Sequence, residues 1–235
     1  MIALGQGVPV AYDLKLLFDL SKGSSMSTDP ISFLFDGDAN AKLTIVLAHG
    51  AGAPMDSPFM NEMAVALTKG GLRVARFEFP YMAKRRLDGK KRGPDRAPVL
   101  IPFLGEVVSQ LGGPEMLILG GKSMGGRMAS MVADDLGVAG LVCLGYPFHP
   151  PGKPDNLRTE HLAKLVTPTL ICHGTRDPFG SPDEVAGYEL SDAIRLHWVE
   201  DGEHDFKPRK SSGRTQSQNI SDAASAISDF AITLI

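Results

Sequence analysis

From about residue 31 onward, short apolar or β-branched runs alternate with longer stretches whose apolar residues recur every three or four positions. That alternation predicts repeated βα units building a mainly parallel sheet, because a parallel pair needs a long return connection. Strands are expected at Ile31 to Phe35, Thr44 to Ala48, Arg73 to Phe77, Met116 to Leu119, Gly140 to Leu144, Thr169 to Cys172 and Ile194 to Val199. Several are almost wholly apolar, as strands covered on both faces should be. Helical spacing falls on Pro58 to Lys69, Pro98 to Leu111, Met124 to Leu136, Pro182 to Leu190 and Gln218 to Ile235, which would cover both sides. The expected fold class is therefore α/β, an open twisted sheet between helical layers.

Two stretches break the rhythm. Met82 to Ala97 is charged and punctuated by Gly89, Gly93 and Pro94, and reads as a surface loop; Lys207 to Gln216 reads as a second. Only about two dozen residues separate the strands ending at Leu144 and starting at Thr169, too few for a large helical cap. Residues 1 to 25 differ from the rest of the chain and end in Ser21-Lys22-Gly23-Ser24-Ser25, so they read as an extension of uncertain order, with Met26 as the natural start and residues 26 to 235 as one domain.

Composition adds little: 43% hydrophobic and 22% charged residues are ordinary for a globular chain, and a net charge of -3 announces neither a nucleic-acid nor a membrane partner. Cys143 and Cys172 each sit in an apolar strand and read as free thiols, without histidines at metal-ligand spacing. No apolar run approaches the roughly 20 residues that span a bilayer, and the start lacks a secretory pattern. These observations lead us to expect a soluble cytoplasmic protein with no metal and no organic cofactor.

The candidate chemistry begins at Leu117-Ile118-Leu119-Gly120-Gly121-Lys122-Ser123-Met124-Gly125-Gly126-Arg127, where an apolar strand runs through Gly-x-Ser-x-Gly into a helix. This is the context of a nucleophile elbow: a sharp turn pushes the Ser123 hydroxyl outward, and the Met124 N–H at the helix start can meet a developing oxyanion. A phosphate-binding loop is excluded by spacing, since Met116 stands where its first glycine is required. A hydroxyl needs a general base, and the base needs an acid to hold its tautomer. Asp177 follows the strand Thr169 to Cys172 and His204 follows Ile194 to Val199, giving the chain order Ser, Asp, His expected after a strand-borne serine. His149, close after a strand end, is the alternative base or a substrate contact; His173 and His197 read as structural, and His161 as part of a surface helix. Glu203 and Asp201 flank the base on its own loop and suit the acid's role less well. The loop His49-Gly50-Ala51-Gly52-Ala53-Pro54 is expected to supply a second oxyanion donor, the Ala51 N–H, with Gly50 as the alternative.

With these pieces assembled, residues 30 to 235 resemble the α/β-hydrolase superfamily, and the capless layout resembles dienelactone hydrolase-like enzymes. Gly-Lys-Ser-Met-Gly-Gly-Arg at 121 to 127, with Phe77-Glu78-Phe79-Pro80-Tyr81 and Pro94-Asp95-Arg96-Ala97-Pro98, is similar to the group containing testis-expressed protein 30 and the third subunit of the nonspecific-lethal chromatin complex. The resemblance does not supply a substrate. Dienelactone hydrolases usually use a cysteine where Ser123 stands, so their reaction is not carried over.

Lys84, Arg85, Arg86, Lys90, Lys91, Arg92 and Arg96 are opposed within their loop only by Asp88 and Asp95, and the loop follows a strand's carboxyl end, on the Ser123 side of the sheet. Arg85 and Arg86, with Lys122, are candidate contacts for an anionic substrate. The first reading is an acyl hydrolase of a small ester or thioester working through an acyl-enzyme. The others are a non-catalytic interaction module binding through its basic face, and an acyltransferase using the same three residues.

Overall fold

The computed structural model describes residues 30–235. The extension read over residues 1 to 25 and the start read at Met26 lie outside the described residues. Seven strands, β1 (Phe33–Asp36), β2 (Thr44–Ala48), β3 (Arg73–Phe77), β4 (Leu117–Lys122), β5 (Gly140–Leu144), β6 (Thr169–Gly174) and β7 (Ile194–Val199), form one sheet in the order β1-β3-β2-β4-β5-β6-β7. β1 runs antiparallel to β3, and every other pair is parallel. The winding reverses where β2 and β4 lie side by side, which is where open α/β sheets leave a crevice at their carboxyl ends. The loops after β2 and β4 flank that crevice.

Side chains of successive strand residues point to opposite faces, and the two cores follow that alternation. Val46, Ala48, Leu117, Leu119, Leu141, Cys143 and Ile171 pack on one face with the helices α2 (Pro80–Asp88), α3 (Ala97–Gln110) and α4 (Met124–Ser130). Ile45, Leu47, Ile118, Val142, Leu144, Leu170 and Cys172 pack on the other with α1 (Pro58–Lys69) and α7 (Gln216–Ile232). Truncating a fully buried residue such as Leu67 to Ala would cost about 2–5 kcal/mol.

Beyond shifts of a few residues at the ends of β1, β4 and β6, the structure departs from the pattern-based reading in three helical regions. Part of the charged stretch expected as a loop is helical: α2 begins with Pro80 at its first turn and ends at Gly89 in the left-handed region, φ 69. It buries only Tyr81 and Met82, so its apolar stripe is too short to show as a period. The helix expected from Met124 to Leu136 is two segments, α4 and α5 (Ala133–Leu136), separated at Met131 and Val132. The predicted helix from Pro182 closes after one turn, α6 (Pro182–Val185). Between β5 and β6 the only helical element is a 3-10 turn at Leu162–Lys164, so no helical cap covers the crevice there.

Candidate active site

The turn out of β4 explains its glycines. A Cβ on Gly121 would stand 2.4 Å from the Ala48 carbonyl oxygen, and one on Gly125 would stand 2.6 Å from the same atom. Close packing of strand and helix on β2 leaves Ser123 at φ 51 and ψ -114, a conformation that a non-glycine residue holds only when its surroundings impose it. The Ser123 N–H donates to the Leu144 carbonyl at 2.9 Å, tying the turn to β5. Met124 opens α4, so its N–H is one of the helix's unpaired first donors.

His204 and Asp177 arrive from loops after β7 and β6. His204 Nδ1 lies 2.8 Å from Asp177 Oδ2, and His204 Nε2 lies 2.9 Å from Ser123 Oγ. Asp177 is buried, which alone would raise its pKa; the His204 hydrogen bond, the His173 and His204 rings and the Phe179 N–H outweigh burial and leave it lowered. An ionised Asp177 makes Nδ1 the donor, so Nε2 is free to accept the Ser123 hydroxyl. The loop carrying His204 is itself clamped: buried Asn219 on α7 donates to the Phe206 and Glu200 carbonyls at 2.8 and 3.0 Å, while Asp201 accepts from the Arg209 N–H at 2.6 Å. Phe179 stacks on His204 with ring centroids 4.3 Å apart.

The loop after β2 lies against the elbow; a Cβ on Gly50 would rest 3.8 Å from Ser123 Cβ. The Phe79 N–H donates to His49 Nε2 at 3.1 Å, which puts the ring proton on Nδ1, where it donates to the Gly50 carbonyl at 2.7 Å. Burial lowers the His49 pKa and keeps this ring neutral. Tyr81 Oη donates to the Ala51 carbonyl at 3.0 Å. With those two carbonyls held, the Gly50 and Ala51 N–H groups engage no acceptor among the described residues.

Gly50, Ala51, Phe59, Lys122, Ser123, Phe179, His204, Asp205 and Gln216 all border an open cavity of about 560 Å³. A carboxyl acid, an imidazole and a strained serine in hydrogen-bonded sequence at such a cavity can activate a hydroxyl for attack on an acyl group. Among the described residues no cluster of three His, Cys, Asp or Glu side chains is disposed to hold a metal ion, and no helix is long and apolar enough to cross a membrane.

The family model described as an alpha/beta hydrolase domain matches residues 41–232. The chain belongs to the alpha/beta hydrolase family. Solved structures with the same fold include a dienelactone hydrolase from Anabaena variabilis, 21% identical over 89% of this chain and 94% of that one, with a TM-score of 0.66. A monoacylglycerol lipase from Paleococcus ferrophilus is 14% identical over 88% of this chain and all of its own, with a TM-score of 0.64. Est1E from Butyrivibrio proteoclasticus, with ferulic acid bound, is 14% identical over 86% and 94%, with a TM-score of 0.59. At these identities the likeness is one of fold.

Within this alpha/beta hydrolase the remaining candidates divide. Lys122 borders the cavity, with its ammonium 3.2 Å from Asp205 Oδ1. Arg85 is half-buried and reaches the Gly52 carbonyl at 3.4 Å, at the cavity rim. Arg86, expected as a substrate contact, instead binds Glu78 at 2.6 Å and Asp56 at 2.7 Å and faces a separate cavity of about 770 Å³ beside α2 and α3. Two carboxylates already occupy its guanidinium. His149, expected as alternative base or substrate contact, is buried and is not among the residues bordering the cavity, with Nδ1 3.0 Å from the Pro150 carbonyl and Nε2 3.6 Å from Glu184. His161 is not on a surface helix: it is half-buried at the start of the 3-10 turn, with Nε2 2.8 Å from Ser130 Oγ. The pattern reading missed Phe179, Asp205, His49 and Tyr81. Asp205 adjoins the proposed base, Phe179 lies two residues after the proposed acid and His49 adjoins Gly50 in the expected oxyanion loop, so neighbourhood alone would have nominated all three; Tyr81 carried no such signal.

Proposed function

We propose that the protein is a serine hydrolase that cleaves a small carboxylic ester or thioester through an acyl-enzyme, with Ser123 as nucleophile, His204 as base and Asp177 as the acid that orients it. The observation carrying this reading is the unbroken run from Asp177 Oδ2 through both His204 nitrogens to Ser123 Oγ, 2.8 and 2.9 Å per link, ending at an open cavity. As Ser123 Oγ bonds to the acyl carbon, its proton passes to His204 Nε2. The Met124 and Ala51 N–H groups hold the oxyanion, and Gly50 keeps the loop close. The C–O or C–S bond then breaks, the leaving group takes the proton from His204, and the acyl group stays on Ser123. Water attacks next, again giving its proton to Nε2, and the acid departs as Ser123 is restored.

Within the family, the 121 to 127 motif supports placement beside the group containing testis-expressed protein 30, and the two buried free thiols suit a reducing cytoplasm. Arg85 at the rim supports a preference for anionic substrates, and Arg85→Ala should raise KM for anionic esters more than for neutral ones. A fluorophosphonate probe, followed by peptide mapping, tests the main reading. Labelling should fall on Ser123 and vanish in Ser123→Ala; an unlabelled native protein would favour the interaction-module reading.

A further inference from the structure

Two contacts bridge the same pair of segments. Ser123, at the end of β4, meets His204; Lys122, the residue before it, meets Asp205, the residue after the histidine. The two links therefore run side by side between the nucleophile's strand and the base's loop. We propose that the Lys122–Asp205 ion pair is a clasp that positions His204 against Ser123, making Lys122 and Asp205 positioning residues for the reaction; this rests on the reading of Ser123 and His204 as nucleophile and base.

Three features support the clasp. The Lys122 side chain is 7% exposed and its ammonium lies 5.5 Å from the centre of the Phe59 ring, so its stem and head are held by packing and do not swing in solvent. A buried ammonium is costly without a counterion, and Asp205 is its only ion-pair partner among the described residues, which drives the base loop down onto β4. The junction is also tight: Gly145, at φ 64, has no side chain, and a Cβ there would meet the His204 carbonyl at 3.0 Å, His204 Nδ1 at 3.2 Å and Lys122 Nζ at 3.3 Å. The imidazole and the ammonium thus share one narrow space, and displacing one displaces the other. From the far side, Gln216 Nε2 donates to the Asp205 carbonyl at 2.8 Å, anchoring that residue to the start of α7.

The test uses Asp205→Asn, Lys122→Met, their double variant and Lys122→Arg in the full chain, with p-nitrophenyl hexanoate and its ω-carboxylate analogue as a neutral and anionic pair. Because a misplaced base slows chemistry more than binding, each single loss should lower kcat on both esters by roughly tenfold to a hundredfold, with KM held within about threefold. The double variant should be no worse than the poorer single, and Lys122→Arg should recover most of the rate. Amide hydrogen exchange over residues 201–207 should quicken in each single variant. Asp205 is 59% exposed, so Asp205→Asn keeps the test alive if Lys122→Met does not fold. Unchanged exchange in Asp205→Asn, additive losses, or an effect confined to KM for the anionic ester would overturn the clasp, the last making Lys122 a substrate contact. If the native protein neither turns over esters nor takes the fluorophosphonate label, the proposed function fails separately, and the exchange measurement alone decides the clasp.

Discussion

Two serine–histidine pairs lie seven residues apart along one strand-to-helix segment, and their lengths are nearly equal: 2.9 Å for Ser123–His204 and 2.8 Å for Ser130–His161. They differ in which way the proton points. Ser130 Oγ donates to the Arg127 carbonyl at 2.8 Å, and so accepts from His161 Nε2; Tyr146 Oη, which donates to the Arg158 carbonyl, stands 3.4 Å from the same nitrogen. No carboxylate bonds to His161 among the described residues, and Ser130 is buried at the last residue of α4. Ser123 has no acceptor other than His204 among the described residues, a carboxylate behind the ring and a cavity in front. A short contact is therefore not what makes a nucleophile. Proton direction, a fixed acid and access for a substrate separate a candidate catalytic pair from a structural one.

The sharpest way to break that contrast is to delete each hydroxyl in turn. Ser123→Ala should lower kcat/KM on p-nitrophenyl esters by about 10⁴ or more, whereas Ser130→Ala should stay within about threefold and lose about 1 kcal/mol of stability. Greater loss of activity in Ser130→Ala than in Ser123→Ala would reverse the assignment. Asp177→Asn probes the carboxylate that only the first pair possesses. An amide can hold the ring but favours the wrong tautomer, so kcat should fall by about 10³ to 10⁴ with the fold intact by circular dichroism.

The two environments also respond differently to acid. Burial, then the charge of Arg127, lowers His161 to about 4, and burial lowers His173, behind Asp177, to about 4 as well. Both rings stay neutral in the folded protein while an unfolded histidine takes up a proton below about 6.5. Over that interval the unfolded state binds more protons, so stability rises with pH. The contribution of these two rings should be whole above about pH 6.5, decline as pH falls towards 4 and be lost below it, a change of a few kcal/mol. Urea unfolding at pH 7 and pH 5 checks this, and His161→Gln should flatten the slope; an unchanged slope would mean that His161 titrates normally.

Much of this was legible along the chain, for identifiable reasons. β2 and β5 match the expected residues because strands buried on both faces are apolar almost without interruption; β3 and β7 match too, although Arg73 and Arg76 interrupt the first and Arg195 and His197 the second. β4 runs on to Lys122 where the pattern stops at Leu119, since Gly120 and Gly121 read as turn residues. A Cβ on Gly120 would in fact stand 2.1 Å from the Val142 carbonyl oxygen, so that glycine serves close strand contact. Ser123, Asp177 and His204 stand out in the sequence because each follows a strand's carboxyl end, and topology brings such ends together. The partners of Arg86 and the burial of His149 and His161 were not legible, because each depends on packing between segments far apart in sequence. Nor does spacing carry hydrogen-bond direction, so the chain alone offers no way to rank Ser123 above Ser130 except the turn that ends β4.

The smallest effect tests the role of Arg127 in that second pair. Its guanidinium is the second cause, after burial, of the lowered His161 pKa, and its Nε is buried without a hydrogen-bond partner among the described residues. Replacing it by Met removes a like charge from beside the ring and an unmet donor from the interior. The His161 pKa should then rise, yet stay below its ordinary value, because burial is the larger cause and remains. A higher folded pKa narrows the interval over which the unfolded state binds the extra proton, so the acid loss of stability should shrink by less than about 1 kcal/mol. Histidine proton NMR on Arg127→Met, titrated from pH 7 to pH 3, reads the shift directly. A fall in the His161 titration would show that Arg127 stabilises the charged ring through a contact absent from this structure, and the electrostatic half of the contrast would go with it.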